Sequence, residues 1–296
     1  MTSVPEWKDI ATSASAQRGP TALRIMVGGQ LRKLREAKGI TAKDAGEHIR
    51  GSYAKISRLE LGRTGYRERD VSDLLTLYGV DDAEQRASFL ELVRMANQQA
   101  WWHGYSDLLP SWFENYLGLE GAAQSIRTFE GQLIPGLLQT DDYARAIVGM
   151  ALDKLDVARR VELRRKRQEI LSVPGGPTLW AIVDESALRR PVGGRDVMRA
   201  QLEHLLAMSH RPNITIQVVP YAAGGHVPMS GSFTLLRFAE DELPDVVYLE
   251  QISSALYLDR PEDLETYRHV MDRLSIQAAT PSASRTFLAD AAHDLR

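Results

Sequence analysis

The chain has 296 residues, 44% hydrophobic and 25% charged, the composition of an ordinary globular protein with room for two domains. It has no cysteine, which excludes disulfides, thiol nucleophiles and cysteine-ligated zinc. No apolar run approaches the roughly eighteen residues that a membrane-spanning helix needs.

The net charge of −3 conceals an asymmetry. Residues 1–80 carry 14 Lys and Arg against 9 Asp and Glu, a balance of +5; the remaining 216 carry 22 against 30, a balance of −8. A basic head on an acidic body suits DNA binding by the head alone, with the body held off the phosphates. The N-terminus lacks a basic-then-apolar signal pattern, so a cytoplasmic protein is expected.

Residues 1–20 are rich in Ala, Ser, Thr, Gly and Pro and read as a flexible arm. Arg18 there is either a DNA-reaching arm residue or part of a disordered tail. A first helix is predicted over Thr21–Lys38, with Leu23, Val27, Leu31 and Leu34 as its inward stripe. Gly28-Gly29 weakens its middle by roughly 1 kcal/mol per glycine relative to alanine.

Two short helices follow back to back. Thr41 N-caps the first, and Ala45 and Ile49 give it one apolar face. Arg50-Gly51 breaks the pattern, with Gly51 expected to take the tight turn. Ser52 caps the second helix, Ile56 and Leu59 point inward, and Gly62 ends it. At 100° per residue, Ala54, Ser57, Arg58 and Leu61 lie opposite Ser52, Ile56 and Leu59, flanked by Tyr53 and Lys55. Small, hydroxyl and cationic side chains on one face of a short helix suit the major groove of DNA. There Arg58 can fork onto guanine O6 and N7, and Ala54 can touch a thymine methyl. An ordinary helical hairpin with a solvated face is the alternative on spacing alone.

Leu34-Arg35-Glu36-Ala37-Lys38-Gly39-Ile40-Thr41 and Ser57-Arg58-Leu59-Glu60-Leu61-Gly62-Arg63 resemble the helix-turn-helix of phage-repressor (Xre/Cro) type. The resemblance implies an inward, structural ion pair between Arg35 and Glu60. It implies base contacts from Tyr53, Ala54 and Arg58, with Lys55 beside them. Phosphate contacts fall to Lys43 and Arg63, with the hydroxyls of Thr41, Ser52 and Ser57. Two positions depart from the pattern: Ala42 stands where the family often has a phosphate-clamping Gln, and Leu61 where Asn usually precedes the closing Gly.

A fourth helix is predicted over Glu68–Tyr78, with Val71, Leu74 and Leu75 inward and Gly79 as its stop; Thr64-Gly65-Tyr66 before it reads as a loop. A fifth is capped by Asp81, with Phe89, Leu92, Val93 and Ala96 as its face. The aromatic stretch Trp101-Trp102-His103-Gly104-Tyr105, then Trp112-Phe113, lacks interleaved basic residues. It reads as a hydrophobic junction rather than a platform for single-stranded bases.

Beyond it the texture changes. Ala123–Glu130 reads as a strand, Pro135-Gly136 as a turn, and Thr140 as the cap of a helix. Asp141 and Asp142 in that helix's first turn read as favouring the helix dipole rather than as a metal or acid–base pair. Leu155–Leu171 is a strongly basic helix, with Arg164-Arg165-Lys166-Arg167, read as solvated or partner-facing; a second DNA-contacting surface is the alternative. Strands at Leu179–Val183 and Ile214–Val219 flank a helix at Val197–Met208. Ser232–Phe238, Val246–Glu250 and Leu256–Leu258 form an antiparallel run, and helices near Pro261–Gln277 and Ser284–Asp294 close the chain. Gly224-Gly225-His226 with Ser230-Gly231 reads as a long connection between strands rather than as a flexible active-site loop.

The expected architecture is an all-α, five-helix, phage-repressor-like helix-turn-helix domain followed by an α+β domain, with the arm at 1–20, the head at 21–99 and the second domain at 100–296. The head together with Trp102-His103, Glu130–Ala144 and Gly231-Ser232-Phe233-Thr234-Leu235-Leu236 is similar to the actinomycete antitoxin-like (WhiJ-like) regulator family. That resemblance implies transcriptional control, with the second domain binding a small partner protein encoded nearby or receiving a signal. No Gly-x-Ser-x-Gly elbow, Walker-type loop or His-Glu-x-x-His motif is present, and the seven histidines lack zinc-ligand spacing. No enzymatic activity, metal or cofactor is expected. The expected partners are double-stranded DNA with a pseudo-palindromic operator and a second copy of the chain.

Overall fold

The computed structural model describes residues 19–150, 156–225, 231–239 and 243–295. The expected arm with Arg18, the start of the basic helix and most of the Gly224–Gly231 connection lie outside them. The chain divides into two compact units. Of the described residues, the first holds those up to Gly104 with 117–122 and 239 and 243; the second holds those of 105–116, 123–238 and 244 onward.

The first unit is helical. It comprises α1 (Pro20–Ala37), α2 (Ala42–His48), α3 (Tyr53–Glu60), α4 (Glu68–Leu77) and α5 (Ala83–Ala96). Its core gathers Leu23, Val27 and Leu31 of α1, Ile56 and Leu59 of α3, Leu74 and Leu75 of α4, and Phe89 and Val93 of α5, all buried. Thr41 and Ser52 are the caps of α2 and α3, accepting from the Asp44 and Lys55 amides at 3.1 and 3.2 Å.

Two local expectations are corrected. The cap of α5 is Asp82, whose carboxylate accepts from the Gln85 amide at 2.7 Å, not Asp81. Between α2 and α3 the left-handed residue is Arg50, at φ 51°, not Gly51. Gly51 serves the turn by its missing side chain: a Cβ there would stand 2.8 Å from Lys55 Cδ.

The expected loop at Thr64–Tyr66 is pinned. Tyr66 is buried, and its hydroxyl sits 2.5 Å from the Arg24 carbonyl and 3.0 Å from that of Leu59. Asn97 closes the clamp from both sides, accepting from the Tyr66 amide at 2.9 Å and donating to its carbonyl at 2.7 Å. Burial raises the pKa of the Tyr66 phenol.

Tyr78 is buried as fully, but its hydroxyl finds no hydrogen-bond partner among the described residues. A sealed, unsatisfied hydroxyl carries a desolvation cost of about 1–3 kcal/mol. Tyr78→Phe is therefore expected to leave the first unit as stable as wild type or more so. A lower midpoint in thermal unfolding would contradict this.

The second unit is built on a six-stranded mixed sheet in the order β3-β2-β1-β4-β5-β6. Its strands are β1 (Ser125–Glu130), β2 (Thr178–Asp184), β3 (Ile214–Val219), β4 (Phe233–Arg237), β5 (Val246–Glu250) and β6 (Ala255–Leu258). β1, β2 and β3 run parallel; β4 lies antiparallel to β1, and β5 and β6 continue the antiparallel half. The unit also contains α7 (Asp141–Gly149), α8 (Val157–Gln168), α9 (Glu185–Arg189), α10 (Arg195–Met208), α11 (Pro261–Gln277) and α12 (Pro281–His293). Helix α6 (Ser111–Ala122) is divided between the units after Tyr116. The chain is thus an α-helical head followed by an α+β domain.

Phe129, Phe233, Leu235 and Val247 meet Leu264, Met271 and Leu274 of α11 in one core. Buried amides fasten the edges: Gln201 of α10 donates to the Leu138 carbonyl and accepts from the Thr140 amide, both at 2.7 Å.

The basic helix departs from its expected solvated role. Arg159 forks onto Asp107 at 2.7 and 2.9 Å, Lys166 lies over the Tyr105 ring, and the Arg167 guanidinium covers Phe113 and Tyr116. Only part of the run faces solvent, because aromatic faces draw cations onto them. The aromatic stretch itself is split. Trp101 and Trp102 meet edge to face in the first unit, whereas Trp112, Phe113 and Tyr116 form a chain of ring contacts in the second.

Candidate DNA-binding surface

Helix α3 is positioned by what lies beneath and behind it. Ile56 and Leu59 anchor its inner side. At its C-terminal end Glu60 receives Arg35 of α1 in a fork, Nε to Oε1 at 2.5 Å and Nη2 to Oε2 at 2.9 Å. The remaining arm of Arg35 donates to the Ile40 carbonyl at 2.8 Å, just before the α2 cap. One guanidinium therefore ties α1, the entry to α2 and the end of α3. The pair is nearly enclosed, at 12% and 8% side-chain exposure. The hydrogen bond to Glu60 raises the pKa of Arg35 further.

Two glycines set the spacing. A Cβ on Gly28 of α1 would stand 2.5 Å from the Leu59 carbonyl oxygen, and one on Gly46 of α2 would stand 2.8 Å from the Ser52 carbonyl carbon. Both contacts are with backbone, so α3 and the turn before it rest directly on α1 and α2. Glycine inside a helical pattern is the sequence signal for such an approach.

The outer side of α3 is open. Tyr53 is 63% exposed, and Ala54 and Arg58 are exposed. The Arg58 guanidinium makes no hydrogen bond or ion pair among the described residues. Lys43 stands out from α2 at 76% exposure, 4.0 Å from Glu47, and Arg63 is exposed just past α3. Ser57 lies in a groove of about 600 Å³ between α1 and α3 that also takes in Ala42, Tyr53 and Leu61. The two departures from the phage-repressor pattern therefore face one hollow, which Arg32, Arg35, Glu36 and Glu60 also line.

The expected grouping is altered at two places. Lys55 is drawn aside to Asp70 of α4, Nζ to Oδ2 at 2.5 Å, and is about two-thirds shielded. This holds its ammonium on the flank of α3 that faces α4, about 100° round the helix from Ala54. The Thr41 hydroxyl both accepts from the Asp44 amide and donates to its carboxylate at 2.7 Å, so its donor is used in capping. Among the described residues no three His, Asp or Glu side chains cluster in a way that would hold a metal ion.

Residues 27–88 match a family described as a helix-turn-helix domain, and the segment spans the α2–α3 pair with its supporting helices. This chain is a DNA-binding regulator of the helix-turn-helix class. Residues 113–290, more than half of its length, match the family described as a domain of unknown function (DUF5753), and the chain belongs to that family. No curated protein and no solved structure matches the chain. No helix among the described residues is long and apolar enough to cross a membrane.

Proposed function

We propose that the protein is a sequence-specific transcriptional regulator of Xre/Cro type that reads its operator with the outer side of α3. Arg58 and Ala54 would make the base contacts, with Tyr53 beside them. Lys43 and Arg63, with the hydroxyls of Ser52 and Ser57 and the backbone at Thr41, would hold phosphates. The observation that carries this reading is the exposed Arg58 guanidinium on a helix whose opposite side is fully engaged. One such helix spans only a few base pairs, so the protein is read as a homodimer on a pseudo-palindrome, acting in the cytoplasm and catalysing no reaction.

The test uses DNA selected by the wild-type protein from a random pool. Arg58→Ala should lose about 1–3 kcal/mol of binding and relax preference at one position of each half-site. Lys43→Ala should weaken selected and unselected DNA alike and reduce the salt slope by about 1. Wild-type affinity and preference for Arg58→Ala would overturn the placement of the recognition helix.

A second reading makes the DUF5753-family domain an antitoxin-like, WhiJ-like module that binds a small partner protein. It is favoured by β6, an edge strand of the sheet, where Leu256 is 55% exposed and Ile252 in the preceding turn is fully so. An open strand edge with apolar side chains is a place for another chain to add. A complex of defined stoichiometry with the small protein encoded next to it, lost in Leu256→Pro, would support this. No complex between the purified pair would count against it.

A further inference from the structure

The carboxyl edge of β1 carries a set of polar groups that DNA reading does not use. Phe129 pairs with Phe233 and Thr234 with Tyr248, so the register continues Glu130, Ser232 and Glu250 along one row. Their face of the sheet is the polar one: Thr128 and Thr234 meet through their hydroxyls at 3.1 Å, and Tyr248 donates to Glu250 at 3.0 Å. Phe129, Phe233 and Val247 point to the opposite, apolar face.

Helix α8 and the first half of α6 border this polar face. Tyr116 stacks on Tyr248 with ring centroids 4.0 Å apart. Arg167 reaches the same aromatic wall, and Gln168 ties α8 down to the carbonyls of Gly136 and Gln139 at 3.0 and 2.8 Å. One turn of α8 away, Arg164 is half-buried beside Arg160, Arg167 and Glu250, yet its guanidinium makes no hydrogen bond or ion pair among the described residues.

The place in the fold is also telling. From β1 the chain steps outward to β2 and β3, then returns to the other side of β1 with β4. Ligands of open sheets bind at the carboxyl edge where the winding direction reverses, and Glu130 and Ser232 stand there. Glu130 keeps some accessible surface although protein atoms crowd its carboxyl, and that crowding pushes its pKa up to about 7, with Ser232 and Arg167 opposing the shift. Desolvation, with Arg167 and Arg160 nearby, brings Arg164 down to about 10. Convergent polar groups with displaced titrations on a partly enclosed face mark a small-molecule site.

We infer that this edge binds a small phosphorylated polyol, with the phosphate on Arg164 and hydroxyls on Glu130 and Ser232. Arg164 and Arg167 stand beside the Glu130 and Glu250 carboxyls with Arg160 close behind, and burial holds Glu130 partly protonated, so the local balance favours an anion. A carboxyl near neutrality both donates to and accepts from sugar hydroxyls. This goes beyond the function proposed above by giving the second domain of the regulator a ligand of its own. It is read on the protein alone and DNA reading on DNA, so either can fail without the other.

The experiment uses the full chain with ribose 5-phosphate, inorganic phosphate and ribose at millimolar concentration, followed by thermal unfolding and calorimetry. Ribose 5-phosphate should raise the midpoint of the second unit, inorganic phosphate should do so more weakly, and ribose not at all. Arg164→Gln should weaken binding by about tenfold or more, the loss of one charge-assisted contact. Arg165→Gln, an exposed neighbour on α8, should bind as wild type. If Arg164→Gln does not fold, ribose 5-phosphate should still protect Arg164 of the wild-type protein from phenylglyoxal, read by mass spectrometry. No shift with either phosphate probe, equal binding by Arg164→Gln, or no protection of Arg164 overturns the site. Equal shifts from inorganic phosphate and ribose 5-phosphate overturn the role given to Glu130 and Ser232.

Discussion

Replacing Glu60 with Ala should destabilise the helical head by about 3 kcal/mol, the low end for a broken buried pair, because it takes the enclosed partner from a nearly enclosed Arg35 and leaves it the exposed Glu36. The Arg35 fork loses both Glu60 contacts and keeps the Ile40 carbonyl and, at 3.6 Å, the exposed Glu36 carboxylate. Loosening that guanidinium frees the end of α3 and the entry to α2 together, so DNA reading should fail with stability. The loss is best read locally, since unfolding of a chain with two units need not be two-state. Hydrogen exchange of the α1 and α3 amides should rise steeply while that of β1 and β2 stays unchanged. The paired replacement Arg35→Met with Glu60→Leu should recover most of the loss, since removing both partners leaves no orphaned charge. Exchange in α1 and α3 unchanged by Glu60→Ala would mean that the pair contributes nothing to holding the head together.

That pair also shows what kind of information a sequence carries. Periodicity located Ile56 and Leu59 beneath α3, and the local pattern Ser52 to Gly62 bounded it; both are matters of neighbours along the chain. The strands were legible for the same reason, since β3 and β5 are short apolar runs between turn residues. Three-dimensional choices were not legible. Nothing near Lys55 announces Asp70, fifteen positions on, as the partner that turns it away from the outer side of α3. Nor does Gly51 beside Arg50 show that the left-handed conformation falls on the arginine. The basic run on α8 suggested a solvated face because its aromatic partners, Tyr105, Phe113 and Tyr116, lie some fifty residues earlier. Likewise Glu130, Ser232 and Glu250 are neighbours only through strand register, and no spacing in the sequence links them. The helix-turn-helix was readable because its parts are adjacent in the chain; the polar edge of the sheet was not, because the fold assembles it.

Gly28 and Gly121 set propensity against packing with one substitution at two helical sites. By propensity alone, alanine for glycine inside a helix should stabilise by about 1 kcal/mol. At Gly121 in α6 an added Cβ meets nothing within 4 Å. Gly121→Ala should therefore stabilise, by a few tenths up to about 1 kcal/mol given its place near the helix end. At Gly28 the same atom would stand 2.5 Å from the Leu59 carbonyl oxygen and 2.6 Å from that of Glu60. Backbone carbonyls at the end of α3 cannot swing aside as a long side chain would, so α1 and α3 must separate. That strains the Arg35–Glu60 fork and the Tyr66 hydroxyl contacts, which span the same helices. Overpacking of this kind costs about 1–3 kcal/mol, and with backbone as the obstacle the upper end is expected, a net loss of about 2 kcal/mol after the propensity gain. Thermal unfolding of both variants reads the answer in its sign: the head should melt lower with Gly28→Ala and no lower with Gly121→Ala. A Gly28→Ala protein as stable as wild type would show that α3 does not rest on α1 through that glycine, and the position of the recognition helix would have to be reconsidered.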